Sequence, residues 1–167
     1  MLKQLKQQLF KRPKLVGALF NLYRPFRGAG IKVVSISKDY RSIEVHMPLT
    51  RGNKNLVGTH FGGSLYSMAD PFYMFILIQQ LGHRYHVWDQ SAHVQFIAPG
   101  TGLVKATYAV DEKVLREIIK ATETGEKYLY TFESEITHED GSVVAKVSKV
   151  LYIRLKRKYR PVKQQEK

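Results

Sequence analysis

Between Asn55 and Leu81 the chain passes from polar and turn-forming residues, through a Gly-Gly pair, into an almost unbroken apolar run. Leu65, Met68, Ala69, Phe72, Tyr73, Phe75, Ile76, Leu77 and Ile78 leave no polar stripe, and a helix that is hydrophobic all round is a buried one. Gly82 reads as its C-terminal stop. Asp70 and Pro71 sit in the middle of the run, which is therefore too short and too interrupted for a membrane span. The pattern predicts a long central helix inside the protein, kinked at Pro71 beside its one carboxylate. Burying a carboxylate without compensation is costly. That conflict makes Asp70 the main functional clue in the sequence.

The flanking patterns are simpler. Residues 2–23 read as helix in two parts, with Leu2, Leu5 and Leu9 at helical spacing, then Pro13 at a first turn and Leu15, Val16, Leu19 and Phe20 on one face. Pro25 and Gly28 are expected to end it. Strands are predicted at 31–37 and 42–49, the second alternating through Ile43, Val45, Met47 and Leu49, with His46 on its polar face. After the central helix, residues 83–90 read as a loop that Trp88 packs down. Strands follow at 91–99 and 103–110, and a helix at 113–122 carries Val114, Leu115, Ile118 and Ile119 on one face. A long hairpin joins 127–138 to 142–155 around Glu139-Asp140-Gly141.

Strands and helices segregated in this way imply an α+β fold, with an antiparallel sheet wrapped around a long central helix. That is the hotdog arrangement. The expected division is a basic helical segment at 1–25, one domain at 26–155 and a disordered basic tail at 156–167.

Charge refines the picture. The net charge is +13, yet residues 1–27 carry +7 and residues 154–167 carry +6, so the body between them is neutral. Basic ends on a neutral body, with no nucleic-acid-binding motif, do not suggest a nucleic-acid partner. They leave open solvated extensions, or contact through the basic ends with an anionic membrane surface or, as the less expected alternative, with nucleic acid or another phosphate-rich partner. The chain has no cysteine, so disulfides and thiolate chemistry are excluded, and a reducing, cytoplasmic setting is expected. No secretory signal is read at its start. His83 and His86 lack a third ligand nearby, so neither a metal nor a cofactor is expected.

The candidate chemistry lies in Asn55 to Asp70. Amides that open a helix have no intrahelical acceptor and favour negative charge, so the Gly62 N–H could donate to a carbonyl oxygen during acyl transfer. Asp70 could act as base toward water or as nucleophile. Asn55 could orient water or substrate, and His60 is the other nearby titratable group. Two plainer roles stay open: Gly62 and Gly63 serving close helix–sheet packing, and Asp70 capping a helix that restarts at Pro71.

This spacing resembles the PaaI-like acyl-CoA thioesterases of the hotdog superfamily, whose motif runs Asn, five residues, His-Gly-Gly, then Leu-Ala-Asp in a helix. Asn55, Gly62-Gly63 and Met68-Ala69-Asp70 fall on those positions, over a likeness spanning roughly residues 14–155. It is closest to an uncharacterised bacterial group with Phe-Gly-Gly and Ala-Asp-Pro. The resemblance implies a thioester hydrolase acting on an acyl-CoA or related thioester, as a homodimer or dimer of dimers. Gly62 would supply the oxyanion N–H and Asp70 the base or nucleophile across the dimer interface. Phe61, Gly63, Leu65, Met68 and Phe72 would contact substrate. Phe61 stands where the family has His, and His60 is one residue early. A hotdog acyl-binding or scaffold protein without catalysis is the alternative.

Overall fold

The computed structural model describes residues 12–161. The first half of the expected N-terminal helix, with Leu2, Leu5 and Leu9, lies outside them. Helix α1 (Pro13–Leu22) opens with Pro at its start, where a missing N–H costs nothing. Pro25 does not end the helical segment as expected. Tyr23 breaks it, and Pro25 occupies the first turn of a second short helix, α2 (Arg24–Ala29), which Gly30 closes at φ 75°.

Strands β1 (Lys32–Ile36) and β2 (Ser42–Pro48) form a hairpin. Helices α3 (Gly62–Ala69) and α4 (Phe72–Leu81) follow, then β3 (Tyr85–Phe96), β4 (Leu103–Ala109), α5 (Glu112–Thr122), β5 (Tyr128–His138) and β6 (Val143–Leu155). The six strands make one antiparallel sheet in the order β1-β2-β4-β5-β6-β3. One face of the sheet holds the core: Ile43, Val45 and Met47 of β2, Val104, Ala106 and Tyr108 of β4, and Val147, Leu151 and Ile153 of β6 are all buried. Helices α3 and α4 fill that face through Leu65, Met68, Phe72, Tyr73, Ile76 and Leu77. Two tyrosines tie helix to sheet while keeping their hydroxyls satisfied, Tyr108 donating to the Met68 carbonyl at 2.9 Å and Tyr73 to that of Glu133 at 2.8 Å.

The central helix is two helices. Proline cannot donate a backbone hydrogen bond and its ring crowds the preceding turn, so the helix stops at Asp70 and restarts at Phe72. Asp70 does not cap the second piece: Pro71 is at the cap and no side chain bonds there.

Residues 85–90 are strand rather than loop. Tyr85, Val87 and Asp89 alternate toward the core, against His86 and Trp88 outside, and all pair with β6. Asp89 in an inward position hides this period of two from a hydropathy reading. Trp88 stacks on Tyr152 with ring centroids 3.9 Å apart. The expected disorder after Leu155 does not begin there. Residues 157–159 form a 3₁₀ turn, held where Lys156 N–H donates to Arg84 O and Arg160 Nε donates to Leu155 O, both at 2.8 Å. No described helix is long and apolar enough to cross a membrane.

Candidate active site

A loop from Asn53 to Phe61 delivers the Gly-Gly pair to the start of α3. Its anchor is Asn53, which is buried: its side chain accepts from Thr50 N–H at 2.7 Å and donates to the carbonyls of Ala29 and Pro48. Asn55 organises the loop tip, accepting from the N–H groups of Val57 and Thr59 and donating to Thr59 Oγ1 and to the His60 carbonyl. Its amide is thus engaged on every side by its own loop.

His60 is buried and donates through Nε2 to the Gly102 carbonyl at 3.1 Å. Burial pulls its pKa below the usual 6.5, which the bond to Gly102 opposes in part. The ring is therefore held neutral, with an unprotonated, buried Nδ1 that accepts no hydrogen bond from a side chain or the backbone. Gly100 lies against it so closely that a Cβ there would stand 3.1 Å from both His60 Cδ2 and Val144 Cγ1.

Gly62 opens α3, and its N–H points out of the helix start with no intrahelical acceptor. Asn55, His60, Gly62 and Leu65 line one wall of an open hollow of about 390 Å³, and Phe96 to Gly100 line the other. A Cβ on Gly62 would come within 2.9 Å of the Phe96 ring, so the glycine lets that ring lie over the helix start. Phe61 does not line the hollow; its exposed ring covers Gly63. Of the residues expected to line an acyl channel, Leu65 reaches the hollow. Met68 and Phe72 do not: both are wholly buried, and Phe72 stacks on Tyr108 at 5.0 Å within the core.

At the other end of α3 stands Asp70, its side chain 51% exposed. Lys149, 1% exposed, meets it from β6: the ammonium donates to Asp70 Oδ1 at 3.0 Å and to the Asp70 carbonyl, and it lies 3.1 Å from Asp89 Oδ2 on β3. The Tyr66 ring lies 5.8 Å from the same nitrogen. A buried ammonium is tolerable only when its protons are satisfied and its charge matched, and here two carboxylates and a carbonyl do both. Burial pushes the Asp89 carboxyl up, against the pull of Lys149.

Sequence patterning alone does not bring out Lys149 and Asp89 as site residues. The signal was present. Ala145, Val147, Lys149, Leu151 and Ile153 form the inward face of β6, and a lysine in that register needs a buried partner. Arg154 is also engaged, with Gly125 O and Glu126. His83 and His86 turn to Tyr159 and Trp88, and no metal-like group of acids and histidines occurs among the described residues.

The fold is that of hotdog thioesterase structures. The chain aligns with a Pseudomonas aeruginosa protein of unknown function described as a probable thioesterase, at 20% identity and TM-score 0.74, covering 86% of this chain and 95% of that one. A Haemophilus influenzae thioesterase aligns at 14% identity and TM-score 0.64, over 86% and 91%. The PaaI protein of the E. coli phenylacetic acid degradation operon aligns at 19% and 0.57, over 83% and 89%. Within this fold the chain belongs to the family described as Domain of unknown function (DUF4442), whose model matches residues 12–153. No curated protein matches it.

Proposed function

We propose that the protein hydrolyses an acyl thioester, with an acyl-CoA as the expected form, at sites shared between two copies of the chain. The observation that carries this reading is the pairing, on one helix, of an open amide at Gly62 with a half-exposed carboxylate that the core holds in place. Helix α3 rises about 12 Å between them at 1.5 Å per residue, so one chain's Gly62 and Asp70 do not converge on one carbonyl. A second copy placing its Asp70 against this Gly62 resolves that separation, and β3, a twelve-residue strand at the sheet edge, offers unpaired backbone for the contact. Thioesterases of the same fold lend the reaction type.

In this mechanism the thioester carbonyl oxygen accepts a hydrogen bond from Gly62 N–H, in the hollow beside Leu65 and Phe96. Asp70 takes a proton from water as the water oxygen attacks the carbonyl carbon. The C–S bond then breaks, and the thiolate leaves and recovers the proton. In the nucleophilic variant, the Asp70 carboxylate attacks the carbonyl carbon, the C–S bond breaks and the thiolate leaves. Water then opens the resulting mixed anhydride to the free acid and the Asp70 carboxylate, the released proton going to the thiolate. Asn55 and His60 serve by shaping the loop that presents Gly62.

The test is thiol release from short, long and aromatic acyl-CoAs, with Asp70→Asn in parallel. Turnover that drops at least about a hundredfold in Asp70→Asn is the expected result. Binding of acyl-CoA with no turnover, equal in both proteins, would point to an acyl-binding protein instead.

A second reading, contact with an anionic membrane surface, draws on α1. Leu15, Leu19 and Leu22 are exposed on it and Tyr23 just past its end, while Arg12, Lys14, Arg24 and Arg27 lie at or near its two ends and no acid precedes Asp39. Such contact would bring a hydrolase close to acyl donors held in a bilayer.

A further inference from the structure

The ammonium of Lys149 has three protons and three acceptors: the carbonyl of Asp70, Asp70 Oδ1 and Asp89 Oδ2. The side chain is thereby fixed, and with it the carboxylate at the break between α3 and α4. Asp70 Oδ2 has no part in this contact and belongs to a side chain half open to solvent. Asp89 occupies the last inward position before the register of β3 shifts, a bulge of the kind that re-aims a side chain. Its second oxygen, Oδ1, is sealed from solvent without a partner. Lys149 from β6, Asp89 from β3 and the Tyr66 phenol from α3 are the charged and titratable groups described around the Asp70 carboxylate.

One cation shared between two acids has a chemical consequence. A lysine paired to Asp70 alone would favour the charged carboxylate and weaken it as a proton acceptor; a second carboxylate on the same ammonium works the other way. We propose that Lys149 and Asp89 are positioning residues for Asp70, Lys149 fixing its carboxylate at the helix break and Asp89 drawing off enough of the ammonium's charge for Asp70 to accept a proton. The proposal rests on the thioester-hydrolase reading and assigns two further residues to that site.

It is tested by kcat and KM against pH for the wild type, Lys149→Met and Asp89→Asn, with folding checked by thermal unfolding. Lys149→Met leaves two carboxylates together without a cation, so the acidic limb of the kcat profile moves to higher pH, kcat at pH 7 falls at least about tenfold, and KM changes little. Asp89→Asn leaves the ammonium to Asp70, so the limb moves to lower pH. Limbs unmoved, or moved in the same direction, in two folded variants would overturn the proposal. If Lys149→Met does not fold, the direction in Asp89→Asn decides alone. If the wild type turns over no thioester, the hydrolase reading fails by itself. The Asp70 carboxyl titration, followed by carbon-13 NMR in wild type and Asp89→Asn, then decides the coupling: a midpoint moved to lower pH supports it, and an unmoved one removes it.

Discussion

Gly62 is where one residue meets both the packing and the chemistry. Phe96 lies over it closely enough to exclude a Cβ without movement, and its N–H begins the helix. Proline is suited to the first position of a helix, and the preceding Phe61 already has the extended backbone that proline requires, with ψ 127°. Gly62→Pro therefore suits the helix start and deletes the donor, but it adds a Cβ to which the Phe96 ring must yield. It is read against Gly62→Ala, which adds the same Cβ and keeps the N–H: thiol release should fall about 10²–10³-fold further in Gly62→Pro than in Gly62→Ala, in proteins that still unfold cooperatively. His60 makes a separate prediction. Its folded pKa lies below the unfolded 6.5, so the unfolded chain binds its proton first as pH falls. The contribution of neutral His60 is fully present above about pH 6.5 and is lost as pH drops toward the folded value. Thermal unfolding followed from pH 8 to 5 should show this decline, and His60→Gln should flatten it.

Among the elements, the broken helix, the bulged edge strand and α1 matter most. The break at Asp70-Pro71 places a carboxylate at a helix end instead of on a helix face, within reach of β6. The bulge in β3 sets Asp89 beside the same lysine. Helix α1 presents the opposite situation: Val16 and Gly17 are buried, yet its outer side is leucine rather than charge. An apolar outer face bracketed by cations suits an anionic bilayer. In flotation with vesicles of phosphatidylcholine alone or with phosphatidylglycerol, the full chain should bind the anionic ones. Leu19→Asp with Leu22→Asp should abolish that binding and leave thiol release on soluble acyl-CoA unchanged. Failure of the wild type to float with anionic vesicles would dismiss the membrane reading.

For the molecule as a whole, the separation of Gly62 from Asp70 along α3 makes a prediction about assembly. If each site takes Gly62 from one copy and Asp70 from the other, Gly62→Pro and Asp70→Asn are each inactive alone but complement each other when mixed. After subunit exchange half the dimers are mixed, and each holds one intact site, so about a quarter of wild-type turnover should return. Light scattering should give a dimer mass for each protein. Mixtures that stay inactive would place the whole site within one chain.

Period and punctuation determined much of this protein. Alternation in β2, β4, β5 and β6, the all-round apolar run of α3 and α4, the proline break and the Gly-Gly helix start were all legible locally, because burial on one face imposes a period of two or 3.6. The fold class followed from their order. What lay beyond the sequence depended on pairing between distant segments. A lysine at position 149 and an aspartate at 89 look like ordinary surface charges until β3 and β6 align and turn both toward Asp70. Residues 85–90 become strand because β6 offers a ladder, and Phe72 closes into the core because aromatic rings from α1, α2 and β4 surround it. A buried charge is stable only beside its partner, and where the partner stands is a property of the folded chain.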